Sequence, residues 1–450
     1  MGARDGKLGV GTSLQTDRYE FSMAAAMLDS HLADRRCVFE VFARDLPAGR
    51  RYGVLAGVDR LVEALDDFVI DAGVLDFLVA GGVLGHKAAE ALRGRRFVGD
   101  IYALGDGSLY FPNTPVLRVE GSFVEATLIE TLVLSMLNGD SSAATTATRM
   151  VAAAAGRPLI EMGSRRTNED DAIAVARAAY IAGFSSTSNL AAGRLYGVPT
   201  AGTAAHAFTL AFDSELEAFR SQVAAQGTGT TLLVDTYDIE QGVRNAVEAA
   251  GPELGAIRID CGPLKENVCL ARSLLDRLGA TQTRIVASGD LDEYVVADLL
   301  EQKAPVDGFG IGTKLVSGPS RPAPGFVYKL VAIASADGPD AVLRPTAKRQ
   351  LGKATDGGRK LPFRRVEDGI LVEEGFVGDG EDLPSGTHPI QHLRIFSGGR
   401  MDGSGRHVAT ALARERCRNE LATLPVDARG ALDPGEPYLV ARRFAKAIVA

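Results

Sequence analysis

From about residue 155 to about residue 335 the sequence keeps one rhythm: a short apolar run stops on small or polar residues, and a helical stretch follows. The runs are RPLIEMG, the neighbourhood of IAGFSSTS, GVPTAGT, TTLLVDT, GAIRIDCG, TRIVASGD, VDGFGIGT and GFVYKLVAIAS. Helix patterns such as DIEQGVRNAVEAAG and KENVCLARSLLDRLGA lie between them and close on glycine, as a helix C-cap does. Strand and helix alternating every ~25 residues specify βαβ units and a parallel sheet. Seven or eight such units in succession favour a closed α/β barrel over an open sheet.

The flanking regions read differently. After a tail at 1–13, residues 14–120 mix strands (CVFEVFARDL, FVGDIYALGDG) with helices (YEFSMAAAMLDS, YGVLAGVDRLVEALDDFV), which predicts a separate α/β lobe. The barrel domain is expected over 121–340. Residues 341–450 turn rich in Gly, Pro and charge, with short strand-like pieces and one helical pattern, HVATALARERCRNELATL. They are expected to form an extension packed on the N-terminal lobe.

One stretch inside the barrel region, LYGVPTAGTAAHAFTLAF at 195–212, has no formal charge and a single histidine, His206. Gly197, Pro199 and Gly202 break any continuous helix, and three threonines would need partners in lipid, so it is no membrane span. It reads as a strand running into a loop that delivers His206 at or just past its end. With no apolar leader at the N-terminus and no other uncharged span, a cytoplasmic protein is expected. The formal net charge of −8 argues against nucleic acid as the main partner. Four cysteines without a C-x-x-C pair make no disulfide scaffold, and His388, His392, His407 and Cys417 match no zinc spacing, so they read as scattered surface residues.

In α/β barrels the loops at the C-terminal ends of the strands converge over one mouth, so chemistry is sought there. RPLIEMG ends in Ser164, Arg165 and Arg166, followed by Thr167 and Asp170 at capping-box spacing. Two guanidiniums at a helix start suit a carboxylate or phosphate; they equally suit pairing with Glu169, Asp170 and Asp171. In GAIRIDCG, Arg258 and Asp260 share one face of an otherwise apolar strand, and Asp235 closes TTLLVDT in the same way. Both aspartates suit ribose hydroxyls or the water shell of a magnesium ion, and each suits a structural ion pair as well. Two small-residue loops follow, Ser288-Gly289-Asp290 and 308–313, whose Gly310, Gly312 and Thr313 let backbone N–H groups approach phosphate oxygens. Arginines, two aspartates, glycine loops and a histidine at one mouth fit a phosphorylated sugar and a small anionic partner. Glycosyl transfer at a ribose carbon develops oxocarbenium character and needs fixed negative charge near the ring.

Six segments in order, TDRYEFSM at 16–23, EMGSRR at 161–166, GTAAH at 202–206, VDTYD at 234–238, SGDLDEY at 288–294 and GFGIGTKL at 308–315, resemble the nicotinate phosphoribosyltransferase family. The resemblance implies a type II phosphoribosyltransferase fold: an irregular α/β barrel with a second α/β lobe built from N- and C-terminal segments, commonly a homodimer. It implies condensation of nicotinate with phosphoribosyl pyrophosphate, with Mg2+ accompanying pyrophosphate and ATP. ATP is a co-substrate hydrolysed through a phosphorylated histidine, and His206 is the matching position. Tyr19, Thr203 and Arg258 match residues lining the nicotinate site, with Arg165 as carboxylate partner, and Thr313 matches a residue at the phosphoribosyl phosphate.

One departure stands out. Where the family pattern runs R-x-D-S-G-D, this chain has Arg258-Ile259-Asp260-Cys261-Gly262-Pro263, so a hydroxyl and a carboxylate are replaced. Two other readings stay open: the amide-using relative, nicotinamide phosphoribosyltransferase, and, on the strength of Cys261 and Pro263, a phosphosugar-binding relative that has lost turnover.

Overall fold

A computed structural model describes residues 11–319, 321–338, 340–348, 356–401, 406–430 and 435–444. The chain divides into two compact units, and the one that carries the barrel rhythm comprises Ala143–Pro322 with Arg429–Asp433. Its sheet is six-stranded and parallel, in the order Ser186–Thr187, Leu159–Glu161, Gly308–Ile311, Arg284–Ala287, Ala256–Ile259, Thr231–Leu233. The last strand in sequence, Gly308–Ile311, lies beside the first, Leu159–Glu161, so the sheet curls toward closure. The next unit round the ring, GVPTAGT, contributes one bridging residue, Thr200 against Thr187, where a full strand is expected. Among the described residues no ladder joins Thr200 to Thr231–Leu233. The barrel is thus irregular, with one open seam, and residues 201–205 cross that seam as a loop.

Strand residues such as Ile257, Ile285 and Phe309 are fully buried, as a parallel sheet covered by helices requires. Of the six longer helices that follow strands or loops here, five start on a side-chain cap: Asn168, Asn189, Ser214, Asp238 and Asp292 each accept a backbone N–H of the first turn. The sixth, Leu264–Arg277, has Pro263 at its N-cap and no side-chain cap bond. The capping box expected from Thr167 and Asp170 is displaced by one residue. Asn168 caps Glu169–Ala182, and Thr167 Oγ1 instead donates to the carboxylate of Asp171 at 2.6 Å.

The other unit comprises Met1–Ser142, Ala323–Ala428 and Pro434–Ala450. The division therefore falls after residue 142 and after residue 322, not at 120 and 340; the expected tail at 1–13 lies almost wholly outside the described residues. Its main sheet has the order Leu343–Pro345, Phe326–Ala334, Arg36–Ala43, Leu117–Ser122, Asp100–Ala103, Leu393–Ser397, Arg400–Met401. The run GFVYKLVAIAS, which continues the barrel rhythm in sequence, is here the antiparallel neighbour of Arg36–Ala43, with Phe39 stacked on Tyr328 at 4.6 Å between centroids. An apolar run carries no mark of which sheet it joins; burial on both faces is available in either. A second sheet, ordered His388–Pro389, Lys360–Glu367, Ile370–Gly378, Arg442–Arg443, is tied to the first by the buried pair Glu40–Lys360 at 2.5 Å.

The histidine–cysteine group at the C-terminal end corrects the surface reading in part. Cys417 is buried on the helix Arg406–Ala422, and His392 Nε2 lies 2.7 Å from the carbonyl oxygen of Pro115, where burial draws its pKa down to about 4. The side chain of His407 lies outside the described residues. Among the described residues no cluster has the make-up of a metal site, and no helix is long and apolar enough to cross a membrane.

Candidate active site

The strand ends of the barrel unit surround a cavity of about 370 Å³ lined by Met162, Arg165, Arg166, Arg258, Asp260, Ser288, Gly289, Asp290, Gly310, Gly312 and Thr313. Four parallel strands supply these residues from their C-terminal ends and the loops that follow, which is why positions far apart in sequence meet.

Arg258 is the hub. Its Nε donates to Ser288 Oγ at 2.8 Å, one terminal nitrogen to Thr203 Oγ1 at 3.0 Å, and the other to Asp260 Oδ1 at 2.7 Å. The guanidinium thereby joins the ends of two neighbouring strands to the loop that crosses the seam. Ser288 Oγ also donates to Asp260 Oδ1. Burial alone would raise the Asp260 carboxyl, but the bonds from Ser288 and Arg258 outweigh it and hold it below the usual range. Asp260 therefore presents a fixed negative charge to the cavity.

Asp235 stands behind that acid. Its Oδ2 accepts from the backbone N–H of Asp260 at 2.7 Å and of Cys261 at 3.1 Å, and from the Cys261 thiol at 3.2 Å. Burial and the Asp235 carboxylate push the exposed Cys261 thiol up. The other oxygen, Oδ1, is buried without a hydrogen-bond partner and lies 3.9 Å from Nε2 of His206. His206 opens the short helix His206–Leu210, with its side chain 38 % exposed, and its Nδ1 lies 3.1 Å from Thr236 Oγ1.

The two glycine loops are glycine for steric reasons. A Cβ on Gly289, which has φ +104°, would stand 2.0 Å from the carbonyl oxygen of Asp260. One on Gly310 would meet Met162 Sδ at 2.8 Å. Backbone here closes on the cavity at distances no side chain tolerates.

Arg165 and Arg166 resolve the alternative left open by the sequence. Asp171 is taken by a two-pronged pair with Arg321, at 2.9 and 3.0 Å. Among the described residues Arg165 and Arg166 have no ion-pair partner, and both are exposed on the cavity wall. Two guanidiniums with unfilled hydrogen-bond donors therefore face an otherwise polar cavity.

Of the residues singled out from sequence, the cavity gathers Arg165, Arg166, Arg258, Asp260, Ser288, Gly289, Gly310, Gly312 and Thr313. Thr203, Asp235 and His206 are not in its lining; each is joined to it through Arg258, Asp260 or one another. Tyr19 belongs to the other unit, on the helix Arg18–Asp29, where partial burial and the carboxylates of Glu130 and Glu20 push its phenol up to about 12. Sequence reasoning gave no role of their own to Thr236, Glu161, Met162 and Asp290. Thr236 and Asp290 lie inside quoted motifs, and Glu161 closes an apolar strand just as Asp235 does, so the rule that found Asp235 finds it too.

A parallel barrel with free arginines, glycine loops and a held carboxylate around one cavity has the make-up of an enzyme for phosphorylated, anionic substrates. A profile of the nicotinate phosphoribosyltransferase (NAPRTase) N-terminal domain matches residues 14–138. Nicotinate phosphoribosyltransferase pncB1 of Mycobacterium tuberculosis is 50% identical over 440 residues, 95% of this chain and 94% of that one. The Bacillus subtilis nicotinate phosphoribosyltransferase is 37% identical over 373 residues, 81% of this chain and 75% of that one. The crystal structure of human nicotinic acid phosphoribosyltransferase shares the fold, with a TM-score of 0.79, 24% identity and coverage of 95% and 97% of the two chains. The chain belongs to the nicotinate phosphoribosyltransferase family.

Proposed function

We propose that the protein transfers the phosphoribosyl group of 5-phosphoribosyl 1-pyrophosphate to the ring nitrogen of nicotinate, giving nicotinate mononucleotide and pyrophosphate in NAD salvage. The observation that carries this reading is the cavity itself, which Arg165 and Arg166, unpaired among the described residues, share with Asp260 and the glycine loops. A pyridine carboxylate suits the arginines; a ribose with its phosphates suits the acid and the loops.

Transfer breaks the bond between ribose C1 and the pyrophosphate oxygen and makes a bond from C1 to the pyridine nitrogen, whose lone pair needs no base. Positive charge builds on the ribose between these events, and an Asp260 held ionised lowers that barrel-mouth barrier by electrostatics. Magnesium fits the residues present as a partner of the substrate: among the described residues there is no all-protein cage, but the bare Oδ1 of Asp235 and the carboxylate of Asp290 are oxygen donors of the right kind. When bound it would neutralise the departing pyrophosphate. ATP enters through His206, whose imidazole takes the γ-phosphoryl group with departure of ADP; water later removes it as phosphate. A cytoplasmic homodimer is the setting this reading expects.

The test compares product formation with nicotinate, nicotinamide and quinolinate, with and without ATP. Nicotinate alone should be converted well, and ATP should stimulate its conversion. An amide leaves a cavity guanidinium without its anion, which costs about 2–3 kcal/mol, or roughly a hundredfold in kcat/KM. Equal use of nicotinamide would overturn the assignment, and pyrophosphate release from none of the three would favour a binding protein without turnover.

The Cys261 and Pro263 positions give a second expected result. Pro263 stands at the N-cap of Leu264–Arg277 with no side-chain cap bond, and the side chain of Cys261 reaches Asp235 through a thiol where the family pattern has a hydroxyl. The double variant Cys261→Ser, Pro263→Asp should raise stability by about 1 kcal/mol through the restored cap. It should also tighten phosphoribosyl pyrophosphate binding without changing the product. A stability gain with unaltered affinity would restrict both positions to folding.

A further inference from the structure

The strand Leu159–Glu161 ends on a carboxylate that is 1% exposed and is not part of the cavity wall. A buried charge on an apolar strand is costly unless its lone pairs are filled, and here both oxygens are engaged. Oε1 accepts from the backbone N–H of Gly163, and Oε2 accepts from Thr187 Oγ1 at 2.5 Å. Burial pushes the carboxyl up and the bonds from Thr187 and the Gly163 N–H pull against it, so the two contacts hold the side chain in one orientation.

The circuit extends from there. Thr187 Oγ1 accepts from the N–H of Asn189 at 3.0 Å, and Asn189 Nδ2 donates to Ser164 Oγ at 3.1 Å. Asn189 is itself fixed, since its Oδ1 caps the helix Leu190–Tyr196. The N–H of Arg166 donates to the carbonyl oxygen of Gly163 at 2.8 Å and closes the turn. Gly163 is pressed in place: a Cβ there would lie 2.2 Å from Val316 Cγ1 and 2.9 Å from Glu161 Oε1. Among the described residues the hydrogen bonds at 163–166 thus use the backbone or Ser164, and the Gly163 N–H donates to Glu161. Among the described residues the side chains of Arg165 and Arg166 have no partner of their own, so their aim depends on that backbone.

We infer that Glu161 is the positioning residue of the arginine turn, its carboxylate fixing the backbone from which Arg165 and Arg166 reach into the cavity. The inference rests on the proposed reading of Arg165 as partner of the ring carboxylate. Preorganising a turn in this way spares the ordering cost that binding would otherwise carry.

Glu161→Gln in the full chain puts an N–H2 where one of the two donors needs an acceptor. Amide hydrogen exchange at residues 163–166 should quicken about tenfold, and the KM for nicotinate should rise about tenfold, while kcat and the KM for phosphoribosyl pyrophosphate stay within about twofold. Thr187→Val, which removes the hydroxyl and keeps the shape, should act in the same direction and serves if the first variant does not fold. Combining Glu161→Gln with Arg165→Ala should raise the nicotinate KM no further than Arg165→Ala alone. Unchanged exchange in both variants overturns the positioning role, and so do parallel losses in kcat and both KM values. Faster exchange with an unchanged nicotinate KM keeps the turn's anchor and overturns the reading of Arg165.

Discussion

Arg258→Ala is expected to lower kcat/KM roughly a hundredfold for both substrates, because it dismantles three loop ends at once. The guanidinium is engaged by Ser288, Thr203 and Asp260, and its side chain is only 13 % exposed, so its donors are committed to holding the loops. Losing hydrogen bonds to a charged partner and leaving Asp260 unpaired costs about 3 kcal/mol, which is that hundredfold. Arg258→Lys should not rescue, since an ammonium cannot bridge three directions in one plane. The pH profile adds a sign. Asp260 ionises below the usual carboxylate range in the intact site, so its charge persists well into acid. Without Arg258 its carboxyl should move up, and the acid limb of kcat/KM against pH should shift to higher pH. A rise confined to the nicotinate KM, with the phosphoribosyl pyrophosphate KM and the acid limb unchanged, would make Arg258 a carboxylate reader instead of a hub.

His206→Asn is expected to abolish ATP hydrolysis and ATP stimulation outright while leaving slow, ATP-independent synthesis of the mononucleotide. The imidazole stands beside the bare oxygen of Asp235 at 3.9 Å and against Thr236, outside the cavity wall, which suits a coupling role and not contact with the pyridine. A phosphoryl group on it would bring two negative charges next to Asp235, and that repulsion can favour a different arrangement of the seam-crossing loop. Incubation with γ-labelled ATP should mark the wild type with an acid-labile, base-stable phosphate that the variant lacks. Label that survives mild acid, or a variant still stimulated by ATP, would remove His206 from the coupling.

How much of this was legible beforehand depends on what kind of signal each feature leaves. The parallel units were legible because apolar runs, caps and glycines recur at fixed intervals, and the cavity residues because strand ends in such a unit share a mouth. Three features were not. GVPTAGT reads as a strand, yet only Thr200 pairs, since Pro199 and Gly202 flank it with backbone that cannot sustain a ladder. Phe326–Ala334 carries the same composition as a barrel strand, and its placement beside Arg36–Ala43 is decided by pairing across ~290 residues, which no local pattern encodes. The part played by Arg258 depends on where Thr203 and Ser288 lie in space, so its type and spacing announce a charged site without saying which groups it serves.

The strand Arg36–Ala43 has one neighbour, Leu117–Ser122, close behind it in the chain and another, Phe326–Ala334, that leaves the ribosome only after the whole of 143–322 has been made. Synthesis therefore delivers the catalytic unit's strands as one uninterrupted block while the older strand waits with an open edge. An unpaired apolar edge is a template for mispairing with another nascent chain, so the long insertion sets a period of vulnerability during translation that the finished enzyme no longer shows.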